Sequence, residues 1–282
     1  MALQQFGDRD SSNPANVQEP LALPPFQGDF VDANAVLARL RSMANPINVE
    51  GMARFGIKTT NTLGISLWDL RKVAKDIGTD HSLALDLWDS GVREARMLAA
   101  FVDDPLRVTE AQMDAWVRDF DSWDVCDTVT TDLFYRTPLA LTKAIEWSRA
   151  PDEFVKRAGF ATMAGIAWHD KDADNATFLA FFDAIVAGAA DDRNFVRKAV
   201  GWALRNIGKR NAALNRRAVA TAKRIQKIDS RAARWIAADA LRELTGDAVQ
   251  RRLRERVRGK PRESRPPSRV LRRRRKASRP RR

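Results

Sequence analysis

The sequence has little of the chemistry that stabilises secreted or membrane proteins. Cys126 is the single cysteine among 282 residues, so an intrachain disulfide is impossible and a reducing compartment is expected. No apolar run reaches the roughly 18 residues that a membrane-spanning helix needs. The polar N-terminus also lacks the apolar core of a signal peptide. The sequence therefore predicts a cytoplasmic protein with no membrane partner.

Residues that commonly bind metals or cofactors are scarce as well. The two histidines, His81 and His169, stand alone, and the scattered aspartates lack the spacing of a calcium-binding loop. No glycine-rich phosphate loop is present. We therefore predict no metal and no cofactor. Cys126 has no histidine near it in sequence and lies on the apolar side of its helix, which favours a small buried residue over a nucleophile.

Positive charge is concentrated at the C-terminus. The chain has a net charge of +13, from 49 Lys and Arg and 36 Asp and Glu. Residues 251–282 hold 17 of these basic residues and 2 of the acidic ones, which leaves 32 basic and 34 acidic residues elsewhere. We predict a flexible segment over 1–33, a folded domain over 34–250 and a disordered basic tail over 251–282. The tail is either simply solvated or a tether to nucleic acid, since each phosphate contact releases counterions.

The region between these termini is predicted to be helical. Ala, Leu, Arg and Glu dominate it, and no alternating pattern with hairpin turns is present. Helix breaks are predicted at 103–105, 137–138, 150–151, 191–194 and 227–229.

An internal repeat is visible within these helices. Small residues recur at intervals of 31, 32, 41 and 34 residues, at Ala95, Cys126, Ala158, Ala199 and Ala233. Intervals of this size are typical of paired-helix repeats of the HEAT kind. We predict an all-α, HEAT-like helical-repeat solenoid with a concave face.

One predicted helix, over 194–210, carries a tryptophan among cations. At about 100° per residue and with Lys198 at zero, Trp202 lies near 40°, beside Arg205 near −20° and Lys209 near 20°, whereas the apolar residues spread over the other side. A tryptophan normally belongs to the apolar face. Either a neighbouring repeat covers Trp202, or it belongs to a nucleic-acid groove, in which aromatic side chains stand among phosphate-binding cations.

The next long helix, over 230–244, repeats this arrangement. Arg231, Trp235 and Arg242 share a narrow arc, with Ala233 and Ile236 on the opposite side. Two such helices in adjacent repeats indicate a continuous lining.

A third helix places a carboxylate beside a tryptophan. In "SWDVCDTV", residues 122–129, Trp123 and Asp127 stand four residues apart and therefore share a face, away from Val125 and Val129. An indole face and a carboxylate both attract positive charge, whereas the surrounding arginines and lysines attract phosphates. If the three faces meet in one concavity, the ligand that satisfies both demands is nucleic acid that carries a cationic group.

These residues resemble the AlkD-like DNA alkylation repair family, the HEAT-like-repeat DNA glycosylases. The resemblance covers roughly residues 34–250 and rests on "MARF", "LWD", "SWDVCD" at 122–127, "VKRAGF" at 155–160 and "VRKAVGWALR" at 196–205. The resemblance implies a monofunctional hydrolase that removes cationic N3- and N7-alkylpurines, such as 3-methyladenine and 7-methylguanine, from double-stranded DNA without flipping the base. It also implies a nucleoid-associated, monomeric protein.

The resemblance implies roles for particular residues. Trp123, Asp127 and Trp202 correspond to the cleft residues at the lesion, and Arg157 and Arg205 to basic residues of the DNA-binding cleft. Phe55 stands on the lesion side, where characterised members can carry tyrosine, so any hydrogen bond from that hydroxyl is lost here.

The helical faces add further DNA-binding candidates, and they leave two other functions open. The added candidates are Lys198, Lys209, Arg231 and Trp235. The same concavity would also suit a noncatalytic DNA-binding protein or a scaffold for protein partners. A pure DNA binder gains nothing from a carboxylate that faces phosphates, and a scaffold predicts apolar rather than basic stripes. The other tryptophans, at 68, 88, 116, 147 and 168, are interpreted as packing between repeats.

Overall fold

A computed structural model describes residues 31–258 of the chain, and these residues form fourteen α-helices and no strand. The first seven helices are α1 (Ala33–Ser42), α2 (Pro46–Ala53), α3 (Leu67–Ile77), α4 (His81–Asp89), α5 (Arg93–Val102), α6 (Glu110–Arg118) and α7 (Trp123–Asp132). The next seven are α8 (Ala140–Trp147), α9 (Glu153–His169), α10 (Leu179–Gly188), α11 (Asn194–Gly208), α12 (Ala212–Gln226), α13 (Arg231–Thr245) and α14 (Asp247–Arg258). Short 3-10 helices precede α8 and α10, at Phe134–Arg136 and Ala176–Phe178.

Polar side chains set where many of these helices begin. An Asp, Asn, Ser or Thr before the first turn accepts a hydrogen bond from the backbone N–H three residues later, which satisfies a donor that has no partner within the helix. The residues that cap in this way are Asp32, Asn45, Ser66, Asp80, Thr109, Asn211 and Ser230. The predicted helix breaks all fall at ends of helices or between them, so those predictions are confirmed.

The helices from α3 onward stack in two rows. The odd row consists of α3, α5, α7, α9, α11 and α13, each in contact with its neighbours in the row, and the even row consists of α4, α6, α8, α10 and α12. The five small residues that revealed the repeat lie one on each of the last five odd-row helices, and all five are fully buried. A side chain of this size lets a helix approach its partners closely, so the predicted repeat and the burial of Cys126 are confirmed.

Aromatic side chains fill the space between successive even-row helices. The indoles of Trp88 on α4 and Trp116 on α6 stack with centroids 4.0 Å apart and planes 3° apart. Trp147 on α8 packs against Phe134 and donates its Nε1–H to Asp114 on α6. These three tryptophans therefore pack between repeats as predicted.

The interpretation of two other tryptophans as packing residues is wrong. Trp68 on α3 is 67% exposed, and Trp168 at the end of α9 is 53% exposed. Trp68 lies on the side of α3 opposite the buried Leu70 and Val73, so its exposure follows from helix phase. Trp168 lies in the last turn of α9, next to His169, whose ring packs against Tyr135.

The predicted termini need correction where the described residues reach them. Helix α1 begins at Ala33, inside the segment predicted to be flexible, and residues 1–30 lie outside the described part. The predicted tail starts inside α14, because residues 251–258 are helical and Leu253 is buried. The predicted boundary rested on the high arginine content. Val249 and Leu253 stand four residues apart, so they share one face of a helix that can be buried. Residues 259–282 also lie outside the described part.

Of the helices in residues 31–258, none is long and apolar enough to cross a membrane.

One close helix approach yields a test of the packing. A Cβ built on Gly159 of α9 would lie 2.4 Å from the backbone nitrogen of Ser148 and 2.8 Å from the carbonyl oxygen of Ala144, whereas a Cβ on Gly51 of α2 meets nothing within 4 Å. Gly159→Ala should therefore lower the free energy of unfolding by about 1–3 kcal/mol through overpacking. Gly51→Ala should raise it by about 0.5–1 kcal/mol because alanine favours the helix. Urea denaturation measures both, and an unchanged stability of Gly159→Ala would contradict this packing.

Candidate functional site

An ion pair between two odd-row helices lies at the centre of the candidate site. The guanidinium of Arg157 on α9 donates from Nε to Oδ1 of Asp127 on α7 at 2.9 Å, and from Nη2 to Oδ2 at 2.7 Å. Asp127 is 3% exposed, and Arg157 is also buried. Two parallel hydrogen bonds between a planar fork and a carboxylate fix both the position and the rotation of the acid.

The third nitrogen of Arg157 extends this arrangement to α11. Its Nη1 donates to the carbonyl oxygen of Phe195 at 2.6 Å, so one side chain joins three consecutive odd-row helices. Burial raises the pKa of the Asp127 carboxyl from its ordinary value, and the adjacent guanidinium of Arg157 opposes that rise. Burial also raises the pKa of the Cys126 thiol, which keeps this neighbour protonated and unreactive.

Trp123 stands one helical turn before Asp127 and is only 8% exposed. Its Nε1–H donates to the carbonyl oxygen of Phe55 at 3.0 Å, and the guanidinium carbon of Arg157 lies 6.0 Å from its ring centroid. The sequence predicted that Trp123 and Asp127 face an open concavity. They do point away from Val125 and Val129, but α9 and the segment around residue 55 cover them, which one helix considered by itself cannot show.

The covering segment, residues 54–62, carries Phe55 to the site. The Phe55 residue is 58% exposed, and a Cβ added to Gly56 would lie 3.0 Å from the ring of Phe195. The segment follows α2 and meets two helices. Phe55 accepts the hydrogen bond from Trp123 of α7, and Gly56 lies against Phe195 of α11. The lesion-side role that the resemblance implied for Phe55 stays a prediction.

A fully buried carboxylate that the sequence analysis missed anchors this segment. Glu94 on α5 accepts hydrogen bonds from the backbone N–H groups of Leu63 at 2.8 Å and Gly64 at 2.9 Å. Asn61, which has a positive φ of 53°, accepts from the N–H of Arg93 at 2.9 Å. The position of Glu94 in the first turn of α5 gives little indication of burial, because acids at that position are usually solvated.

A second ion pair on α7 was missed in the same way. The guanidinium of Arg93 donates from Nε to Asp124 Oδ2 at 2.7 Å and also bonds Glu94 at 2.8 Å. The hydroxyl of Ser122 donates to the other oxygen of Asp124. Two acids three residues apart on α7 thus bind arginines of opposite neighbours, Asp124 that of α5 and Asp127 that of α9.

The predicted stripe on α11 is partly neutralised. Arg205 bonds Asp239 and Glu243 of α13, the latter at 2.8 Å, and Lys209 bonds Glu243 at 2.7 Å. The helix angles placed the cations correctly on one side of α11 but could not show that α13 supplies acids to the same side. Trp202 is half-buried against the apolar cluster, and no hydrogen bond or ring contact among the described residues joins it to Asp127.

The other predicted DNA-binding residues are open to solvent. Lys198 and Arg231 are exposed, and Trp235 on α13 is exposed with the guanidinium of Arg197 5.2 Å from its ring centroid. The cation at this indole is Arg197 of α11, whereas the sequence analysis grouped Trp235 with Arg231 and Arg242 of its own helix, and the DNA-binding role of these residues stays a prediction.

An ion pair at the edge of the site predicts a pH dependence of stability. Hydrogen bonds from Arg193, followed by one from Lys156, lower the pKa of Asp191 to about 2. Because this is below the ordinary value of 3.8, the stabilisation is complete above about pH 4 and is lost as the pH falls toward 2. Asp191→Asn should be less stable than the wild type at pH 7, and the difference should shrink between pH 4 and 2. Urea denaturation along a pH series measures this, and a constant difference would contradict it.

Comparisons with known proteins identify this arrangement of helices. A family profile described as "DNA alkylation repair enzyme" matches residues 36–244. A solved structure described as "a new family of proteins related to the HEAT-like repeat DNA glycosylases with affinity for branched DNA structures" is 18% identical. It covers 76% of this chain and 96% of its own, with a TM-score of 0.64.

A designed armadillo repeat protein in complex with the peptide (KR)4 is 15% identical, covers 66% of this chain and 79% of its own, and has a TM-score of 0.33. No curated protein matches the chain.

Proposed function

The chain belongs to the DNA alkylation repair enzyme family, and from this premise we propose that it is a monofunctional DNA glycosylase for cationic alkylpurines. Its substrates are N3- and N7-alkylated purines, such as 3-methyladenine and 7-methylguanine, in double-stranded DNA. The observation that supports the proposal best is the carboxylate of Asp127, held in a fixed orientation by Arg157 beside the indole of Trp123.

The reaction depends more on a negative charge beside the deoxyribose than on a group that donates a proton to the base. An alkylated purine already carries a positive charge, so it leaves without a strong general acid. As the N-glycosidic bond lengthens, positive charge grows on the deoxyribose, as in the oxocarbenium-like transition state of glycoside hydrolysis. Asp127 stabilises that charge and orients the attacking water.

The ion pair is compatible with this role. Arg157 uses one acceptor direction on each oxygen of Asp127, and each carboxylate oxygen has a further lone pair. The guanidinium also favours the ionised acid in a buried setting, where a free carboxyl would become neutral. Arg157 therefore positions the carboxylate, in addition to the DNA contact that the resemblance implies.

The remaining candidates hold the DNA. Trp123 and Trp202 contact the cationic nucleotide through their faces, which for the 8% exposed Trp123 requires displacement of residues 54–62, and Phe55 lies on the lesion side. Lys198, Arg205, Lys209, Arg231 and Trp235 contact the backbone along the odd row, and for Arg205 and Lys209 this requires exchange of their acids for phosphates. The lesion stays stacked in the duplex rather than flipped.

A noncatalytic DNA-binding function is the second candidate, and one observation favours it. Asp127 is buried with both oxygens bound by Arg157, an arrangement that also serves simply to join α7 to α9. The structural neighbour with a TM-score of 0.64 is described by its affinity for branched DNA. In a noncatalytic protein, the Asp127–Arg157 ion pair contributes only to stability. Its removal would then affect folding, and there would be no base release to lose.

Asp127→Asn separates the two functions. For a glycosylase, we expect release of 7-methylguanine from methylated duplex DNA to fall by at least about 10²–10³-fold, because the charge opposite the deoxyribose is removed. Affinity for the same duplex should change little. Single-turnover release and fluorescence anisotropy measure the two quantities. The matched control is Asp132→Asn on the same helix, an acid that pairs with Arg71 and should leave release unchanged.

Loss of folding must be distinguished from loss of chemistry in this test. Removal of one partner of a buried ion pair can cost about 3–5 kcal/mol. The double variant Asp127→Asn/Arg157→Gln removes both charges and should recover part of that loss while remaining inactive. Recovery of base release together with stability, or release by Asp127→Asn at the wild-type rate, would refute the catalytic assignment.

Arg157→Gln by itself tests the positioning role. Without the guanidinium, burial of Asp127 is no longer opposed, so the pKa of its carboxyl should rise further. Because the ionised acid is the active form, the acidic limb of the release-rate profile should move to higher pH. A lower rate with an unchanged pH profile would show that Arg157 contributes DNA contacts alone.

A further inference from the structure

A group of cations stands at the opposite end of the odd row from the candidate site. The site lies near the start of α9 and α11, at Arg157 and Phe195, whereas this group lies where both helices end. Arg157 and Trp168 are separated by eleven residues of α9, or about 16 Å along the helix axis. The two regions are therefore separate surfaces of the same row.

Three cations meet at these helix ends. Arg210 donates to the carbonyl oxygens of Ala167 at 2.9 Å and Asp170 at 2.7 Å, and Arg256 of α14 donates to that of Arg210 at 2.7 Å. Lys171 donates to the carbonyl oxygen of Trp168. Burial lowers the pKa of Lys171, and the nearby cations Arg210 and Arg256 lower it further, which indicates like charges held close together.

Capping of helix ends accounts for only part of this charge. The C-terminal end of a helix carries about half a negative charge, so the ends of α9 and α11 together offset about one cation. Asp170 faces Arg210 and offsets another, although its Oδ1 also accepts the N–H groups of Asp172 and Ala173. Of the three cations Lys171, Arg210 and Arg256, about one positive charge therefore remains before the other arginines of α14 are considered.

Helix α14, which brings Arg256 to this group, carries further arginines. Val249 and Leu253 are buried, which docks the helix on the solenoid, and Gln250 donates to Asn215 and to the carbonyl oxygen of Leu244. Arg251, Arg252 and Arg254 are exposed and form an ion pair with no carboxylate among the described residues. A helix docked in this way presents its cations in a fixed array instead of a flexible chain.

We propose that this C-terminal arginine surface, formed by Lys171, Arg210, Arg251, Arg252, Arg254 and Arg256, is a second DNA-binding surface that contacts the phosphate backbone outside the lesion site. The exposed Trp168 lies within it, with the ammonium of Lys171 6.0 Å from its ring centroid. An accessible indole among cations is a feature of nucleic-acid grooves.

An anionic membrane is the other partner that such a helix could suit, and the packing argues against it. A helix that lies in a membrane interface inserts an exposed apolar face between the lipids. The apolar residues of α14 whose side chains are described, Ala248 aside, are Val249 and Leu253, and both are buried against the protein. Binding to the phosphates of the DNA backbone requires only the exposed cations and no exposed apolar face.

The test compares two variants of the full chain that lose the same charge. Arg251→Gln/Arg252→Gln/Arg254→Gln removes three cations from α14, and Arg216→Gln/Arg217→Gln/Lys223→Gln removes three exposed cations from α12 of the even row. Binding to an unmodified duplex of about 30 base pairs is measured by anisotropy over a range of NaCl concentrations. Because this DNA carries no lesion, the measurement remains valid even if the proposed glycosylase activity fails.

We expect the α14 variant to bind at least about tenfold more weakly, with the log–log salt slope lower by about 2–3, as three lost phosphate contacts require. The α12 variant should retain nearly the wild-type slope. Trp168→Ala should weaken binding without changing the slope, because it removes no charge.

Two outcomes would overturn the proposal. One is equal DNA binding by the α14 and α12 variants, whether both are weakened or neither is, which would mean that the α14 arginines have no special part in binding. The other is loss of binding to phosphatidylserine vesicles by the α14 variant with DNA binding unchanged, which would assign the surface to anionic lipids.

Discussion

The bidentate ion pair between Asp127 and Arg157 is the constraint on which the candidate site depends. It joins α7 to α9, and through the carbonyl of Phe195 it reaches α11, so three repeats share one buried side chain. A solenoid gains stability mainly from contacts between neighbours. Here one of those contacts also carries the acid for which the catalytic role is proposed, so a structural and a chemical function rest on the same two residues.

The same scheme recurs along the odd row. Asp124 pairs with Arg93 of the preceding helix, and Arg205 pairs with Asp239 and Glu243 of the helix that follows. The paired charges are thus opposite in sign from α5 to α7, from α7 to α9 and from α11 to α13. As a result, the number of cations on a helix overstates the positive charge that it presents to solvent, and the exposed residues without carboxylate partners are the better candidates for contacts with DNA.

Two regions of the odd row differ in whether their cations pair with carboxylates. At the start of the odd-row helices, a covered acid lies beside an indole and an aromatic segment held by Glu94. At their ends, Arg256 of the docked α14 bonds the carbonyl oxygen of Arg210, and Lys171 stands at the ring of the exposed Trp168. The first arrangement suits chemistry on one nucleotide, because its groups converge on one point. The second suits sequence-independent contacts to phosphates, because its charges are spread along a helix.

The sequence by itself determined the helices, the repeat and the neighbouring positions of Trp123 and Asp127, because helical periodicity and small buried residues are local properties. The residues around Asp127 were decided by tertiary structure alone. Arg157 comes from thirty residues later, and Phe55 from seventy-two residues earlier. Helix angles place a side chain on a face but give no information about the helix opposite it. For that reason the sequence could not reveal that Asp127 is buried or that Arg205 meets acids, whereas the spacing of Val249 and Leu253 was a signal that α14 docks.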